Sequence, residues 1–140
     1  MIVEQIWTGN SGRNFFYMIA CSETGEAVAI DPIEPDKCLA VAKDKGWDIT
    51  RVFNTHEHGD HIAGNDEMIA ATGAKLIGPY NAGNRIPGID EGVREGDHVK
   101  LGKTVDFEVI ETPGHTPIHI SLFGHSDEPH LLCGDTVFNA

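Results

Sequence analysis

The stretch Asn54-Thr55-His56-Glu57-His58-Gly59-Asp60-His61 sets three histidines and two acids within six consecutive positions, directly after Arg51-Val52-Phe53. Neutral imidazole and carboxylate are the ligands that hold borderline and hard divalent metals. The spacing adds geometry to that chemistry. If residues 52–55 end a strand, His56 and His58 lie two apart and project to the same side. Gly59 then lets the chain turn, so that Asp60 and His61 face the same spot from another direction. The plain alternative is a solvated loop that happens to be rich in histidine, and two stretches further on argue against it.

Those stretches are Thr112-Pro113-Gly114-His115-Thr116 and Cys133-Gly134-Asp135-Thr136. Each puts one ligand-type residue at the end of an apolar, strand-like segment, beside a glycine. Taken together the three pieces read His-x-His-x-Asp-His, then His, then Asp. The helical zinc-protease pattern His-Glu-x-x-His is excluded, because the position four after His56 is Asp60.

The set His56, His58, Asp60, His61, His115 and Asp135 resembles, in type and order, the signature of the metallo-β-lactamase superfamily. The resemblance implies an α/β fold, the αββα sandwich of that family, of which this chain supplies about the amino-terminal half. It implies two divalent metal ions, zinc first, with iron or manganese equally suited to mixed imidazole and carboxylate ligands. His56, His58 and His115 would hold one ion, Asp60 and His61 the other, and Asp135 would bridge them. Asp60 is then the catalytic candidate, since its second oxygen can accept a proton from a water shared by the two metals.

Three further runs narrow the resemblance. Tyr17-Met18-Ile19, Asp31-Pro32 and Gly134-Asp135-Thr136-Val137-Phe138 look like the hydroxyacylglutathione hydrolase (glyoxalase II) branch. That branch implies hydrolysis of a small-molecule thioester, a glutathione conjugate. Its members continue beyond the position of Ala140 with the second half of the sandwich, a seventh ligand histidine and most of the glutathione-binding residues. No substrate-binding residue is therefore assigned here, and activity of the 140-residue chain alone is left open. The alternatives are an iron persulfide dioxygenase, a lactonase or β-lactamase, and a truncated domain that binds metal without catalysis.

Composition fits this frame. A chain of 140 residues is expected to form a single, partial domain (1–140), long enough to bury about two thirds of its unfolded surface. The formal net charge of −12 opposes binding to nucleic-acid backbones and anionic membranes. The first residues, Met1-Ile2-Val3-Glu4-Gln5, lack the basic start and apolar core of a signal peptide, and no run reaches transmembrane length. Cys21, Cys38 and Cys133 are odd in number and widely spaced, which suits free thiols in a reducing cytoplasm. Burial as small hydrophobes is the expected role of all three.

Residue patterns predict strands at 2–7, 14–21, 27–30, 49–54, 75–78, 99–101, 105–110, 118–123 and 131–133. Helices are predicted at 37–45, stopped by Gly46, and at 62–72, stopped by Gly73. Residues 23–26 read as a hairpin turn, and 79–96 as a long loop. His98 and His130 read as solvent-facing and His125 as part of a turn, whereas Pro117 and the alternation Ile118-His119-Ile120-Ser121-Leu122 place His119 on a strand, with a supporting role behind the ligands as the lesser of its two readings. Self-association, a homodimer above all, is expected if the inner sheet face of this half waits for a sheet from elsewhere.

Overall fold

The structure is a computed structural model that describes residues 2–7, 15–56, 62–103, 105–112, 120–124, 130–133 and 136–139. Strand β1 (Ile2–Trp7) pairs antiparallel with β2 (Phe15–Ala20), and β2 with β3 (Glu26–Ile30). The β2–β3 hairpin turns through Gly25 at a φ of 75°, where a Cβ would be strained. Gly25 N–H donates to the Cys21 carbonyl at 2.9 Å and closes the turn.

From β3 onward the sheet is parallel. Helix α1 (Pro35–Lys45) crosses over to β4 (Asp48–Phe53), helix α2 (Asn65–Thr72) to β5 (Lys75–Pro79), and a loop to the short β6 (Glu91–Val93). Helix α1 starts on a proline, whose missing N–H costs nothing there. It ends on Gly46 at a φ of 70°, with Trp47 N–H donating to the Ala42 carbonyl at 2.8 Å. The six strands lie in the order β1-β2-β3-β4-β5-β6. A second, five-stranded antiparallel sheet follows in the order β11-β10-β9-β8-β7. Its strands are β7 (His98–Leu101), β8 (Val105–Glu111), β9 (Ile120–Gly124), β10 (His130–Cys133) and β11 (Thr136–Asn139).

Alternation along β2 explains why its sequence is apolar throughout. Phe16, Met18 and Ala20 face the helices, packed with Cys38 and Ala42 of α1 and Met68 of α2. Tyr17 and Ile19 face the other way, onto the second sheet. Strand β3 repeats the division, with Ala27 and Ala29 beneath the helices and Val28 and Ile30 between the sheets. A strand covered on both faces has no room for a polar position. The inter-sheet core is completed by Phe53 and Ile77 from the first sheet and by Leu101, Phe107, Val109 and Leu122 from the second. Burial also pushes the Cys38 thiol up to about 12, so that it stays protonated and inert.

Two expectations need correction. The inner face of the first sheet does not wait for a sheet from elsewhere, because β7–β9 of the same chain already cover it. Ile2 and Tyr80 are the exposed large hydrophobics among the described residues, so the broad apolar face invoked for self-association is absent from them. The second correction is local. Ile62 is helical but a turn at 63–64 separates it from helix α2 (Asn65–Thr72), so the predicted helix at 62–72 is interrupted, and β6 interrupts the predicted loop at 79–96.

Replacing Phe107 by alanine deletes a fully buried ring from the inter-sheet core. The expected cost is about 3–5 kcal/mol, read as a lowered urea midpoint at unchanged slope.

Candidate metal centre

Parallel pairing of β3, β4 and β5 brings three strand ends together, the place where open α/β sheets carry their sites. Beyond β3 stands Asp31, and beyond β4 stand Asn54, Thr55 and His56, all four buried. Asp31 takes a φ of 47°, a left-handed conformation that aspartate tolerates better than most residues. Its N–H still reaches the Phe53 carbonyl at 2.8 Å, so the strand ladder runs to the edge of the site.

The Asp31 carboxylate then accepts two bonds from Thr55. The backbone N–H donates to Oδ1 at 2.9 Å and the hydroxyl donates to Oδ2 at 2.6 Å. A hydroxyl has one proton to give. Because Thr55 gives it to Asp31, the 2.8 Å contact between Thr55 Oγ1 and His56 Nδ1 has the imidazole N–H as donor. That relay fixes the tautomer, with the proton on Nδ1 and the lone pair on Nε2. Nε2 is the ring nitrogen through which His56 can ligate, and it is buried. A carboxylate or hydroxyl behind the far nitrogen is the usual support of a metal-bound histidine.

The two sheets meet at the same place. Ile120 N–H, at the start of β9, donates to the Thr55 carbonyl at 2.9 Å. On the other side of the segment that contains His115, Thr112 Oγ1 lies 2.9 Å from Ser121 Oγ. Of the six predicted ligands, His56 is placed as expected, at the carboxyl end of β4. His58, Asp60, His61, His115 and Asp135 lie outside the described residues, as do His119 and His125. Cys133 falls on β10, whereas Cys21 and Cys38 are buried free thiols. His98 is exposed, as predicted, with Nδ1 2.8 Å from Asp106 Oδ1. Sequence reasoning did not assign Asp31 or Thr55 a role. Their contact joins positions 24 apart, and an aspartate closing a strand before proline reads locally as a turn signal only.

Comparison with known proteins places this arrangement. The profile of the Metallo-beta-lactamase superfamily matches residues 20–140. The chain belongs to that superfamily. Hydroxyacylglutathione hydrolase from Polaromonas sp. strain JS666 is 61% identical over 140 residues, covering 100% of this chain and 53% of that protein. Hydroxyacylglutathione hydrolase from Nitrosococcus oceani is 56% identical over the same span, again 53% of its length. The chain thus spans about half the length of these curated relatives. Among solved structures, ETHE1 from Myxococcus xanthus matches with a TM-score of 0.79 at 33% identity, covering 89% of this chain and 54% of that one. A metallo-beta-lactamase from Staphylococcus aureus matches with a TM-score of 0.76 at 26% identity, covering 94% of this chain and 42% of that one.

Membership of the metallo-β-lactamase superfamily implies a divalent metal, and the donor set fits one. His56 presents Nε2 with its tautomer fixed, and the remaining ligand types are imidazole and carboxylate. Replacing Thr55 by valine keeps the shape and the backbone N–H but removes the hydroxyl from the relay. Zinc affinity is expected to fall about 10- to 100-fold, measured by competition with a chromophoric chelator.

Proposed function

We propose that this chain is the metal-binding half of a thioester hydrolase of the hydroxyacylglutathione hydrolase kind. The relay Asp31–Thr55–His56 carries this reading, because it engages Nδ1 of a buried imidazole and so presents the Nε2 lone pair as the donor for a metal. The substrate class rests on the relatives named hydroxyacylglutathione hydrolase that align over the full chain.

In this reading His56, His58, Asp60, His61, His115 and Asp135 would together hold two divalent ions. Zinc is the first choice of metal. When bound, such a pair polarises a carbonyl and brings the pKa of water to near 7. Asp60 takes the proton of the attacking water on its outer carboxylate oxygen. The leaving thiolate, with a pKa of about 8.5, departs without a strong general acid, which suits a ligand set that lacks one. The substrate is a small glutathione thioester, and the net charge of −12 disfavours nucleic acid and anionic membranes as partners. No described helix is long and apolar enough to cross a membrane. A cytoplasmic location fits free thiols at Cys21 and Cys38.

The test joins metal content to turnover. Purified protein is expected to carry zinc and to release thiol from S-lactoylglutathione. The double variant His56→Ala/His58→Ala should lose both metal and thiol release. Undiminished metal in that variant, by mass spectrometry, sinks the proposal. One iron per chain with persulfide oxidation in place of thioester hydrolysis would favour the dioxygenase alternative.

Self-association also belongs to this proposal, on different grounds from those the sequence suggested. Both described helices pack on the first sheet, and Ile110 and Phe123 are half-buried on the far side of the second. A second copy laid on that side would cover them. Light scattering behind size exclusion is expected to give twice 15.2 kDa, and a lone 15.2 kDa species across micromolar concentrations would exclude a stable dimer.

A further inference from the structure

Strand β5 ends beside β4, on the sheet edge that carries His56. Register pairs Phe53 with Ile77, and Asn54 N–H continues the ladder to the Ile77 carbonyl at 2.9 Å. His56 and Tyr80 therefore stand equally far past the last aligned pair, on neighbouring strands. The chain after Tyr80 encloses an open cleft of about 430 Å³, within the roughly 300–1,000 Å³ usual for small-molecule sites. Tyr80, Asn84, Ile86, Ile89 and Gly92 line it. Ile89 also reaches toward β4. A Cβ on Gly78 would lie 3.0 Å from Ile89 Cδ1 and 3.8 Å from the Asn54 carbonyl oxygen.

Tyr80 is anchored at its backbone. Its N–H donates to the Val93 carbonyl of β6 at 2.9 Å. A Cβ on Gly92 would stand 2.8 Å from Tyr80 Cα, so a glycine is what lets β6 lie this close. The residue is nevertheless 54% exposed. Over its ring lies the Arg94 guanidinium, 5.1 Å from the centroid. Arg94 is anchored too, its backbone N–H donating to Asp97 Oδ2 at 3.0 Å.

A guanidinium carries its donors in its plane, so a face given to an aromatic ring leaves the edge donors for an anion. In a chain of net charge −12, a protein carboxylate is the partner to expect. Among the described residues, however, Arg94 makes no ion pair. Its acidic neighbours are engaged or turned away. Asp97 Oδ2 accepts the Arg94 N–H, and Asp90 Oδ2 accepts the Leu76 N–H at 2.9 Å. Strand alternation puts Glu91 on the face of Val93, opposite Gly92 and the cleft. An aromatic wall beside a fork of uncommitted donors, both on anchored backbone, is the chemistry that recognises a carboxylate.

We propose that the Tyr80–Arg94 cleft is a carboxylate-binding subsite, in which Arg94 donates to a small carboxylate and the Tyr80 ring backs the contact. The reaction proposed above offers that group from two sources, the glutathione part of the thioester and the hydroxy acid it releases. The choice of ligand therefore rests on the hydrolase reading. The cleft rests on its own geometry.

The test titrates the purified protein with S-methylglutathione, whose thiol is blocked from metal, and separately with lactate, followed by heteronuclear NMR. At least one is expected to shift the amides of Gly83, Gly88 and Gly92, and the one that does identifies the source. Shifts with both mark the shared carboxylate as what the cleft reads. The carboxylate-blocked forms, S-methylglutathione diethyl ester and lactamide, are expected to leave those amides in place. Arg94→Gln should weaken binding about 10-fold, and Arg94→Lys less, since lysine keeps the charge without the fork. Unmoved amides with both ligands, equal shifts with the blocked forms, or unchanged affinity in Arg94→Gln would each overturn the proposal. If Arg94→Gln does not fold, free against blocked carboxylates on the wild type decides. Carboxylate binding without thiol release from S-lactoylglutathione would uphold the cleft and refute the hydrolase reading alone.

Discussion

A buried carboxylate must be paired, and much of this site follows from how Asp31 is paired. It stands 1% exposed at the carboxyl end of β3, where water cannot neutralise its charge. Thr55 supplies both donors, one from the backbone and one from the hydroxyl. That choice has consequences beyond satisfying Asp31. It spends the only hydroxyl proton of Thr55, so the next residue, His56, must donate from Nδ1 and keep its Nε2 lone pair. One electrostatic requirement in the core therefore sets, through the Thr55 hydroxyl, which ring nitrogen of His56 carries the proton. The left-handed backbone of Asp31 is consistent with the same demand, since a strained φ persists only where its surroundings hold it.

The sheet explains why this pairing is available. Strands β3 and β4 are neighbours and parallel, so their carboxyl ends lie side by side although 24 positions separate Asp31 from Thr55. The crossover through α1 is what makes a parallel neighbour reachable, and its apolar stripe, Cys38 and Ala42, is buried against the alanines of β3. On β3, small residues beneath the helix (Ala27, Ala29) and larger ones between the sheets (Val28, Ile30) let the strand be covered on both faces. The site then occupies the one place where those covered strands must open, their ends.

Much of this was legible in the sequence because it depends on local pattern. Unbroken apolar runs at 15–20 and 27–30 mark strands buried on both faces, and glycines at 25, 46 and 73 mark the turns and helix ends that the structure shows. The position of His56 at the end of β4 followed from the same pattern. What stayed hidden depends on distant partners. Asp31 looks like a turn aspartate, and Asn54 and Asn65 look like polar loop residues, until the fold brings each to its partner. Strand β6 is three residues long and carries a glycine, too short for any periodicity to show. The predicted helix at 62–72 is broken by a turn at 63–64, where Gly64 lies against Pro32, a contact that hydrophobic spacing cannot reveal.

The division of the core bears on what a half-length chain can do. Had the first sheet relied on a partner sheet from the other half, its inner face would hold Tyr17, Ile19, Val28 and Ile30 open to water. Instead β7 to β9 bury that face, and the same strands deliver Ile120 to the Thr55 carbonyl. The core that supports the site and the strand end that carries His56 thus belong to one covalent unit. Relatives that run to about twice this length add material around that unit. Asp31, Thr55 and His56 cannot be divided without losing the contact that fixes the His56 tautomer.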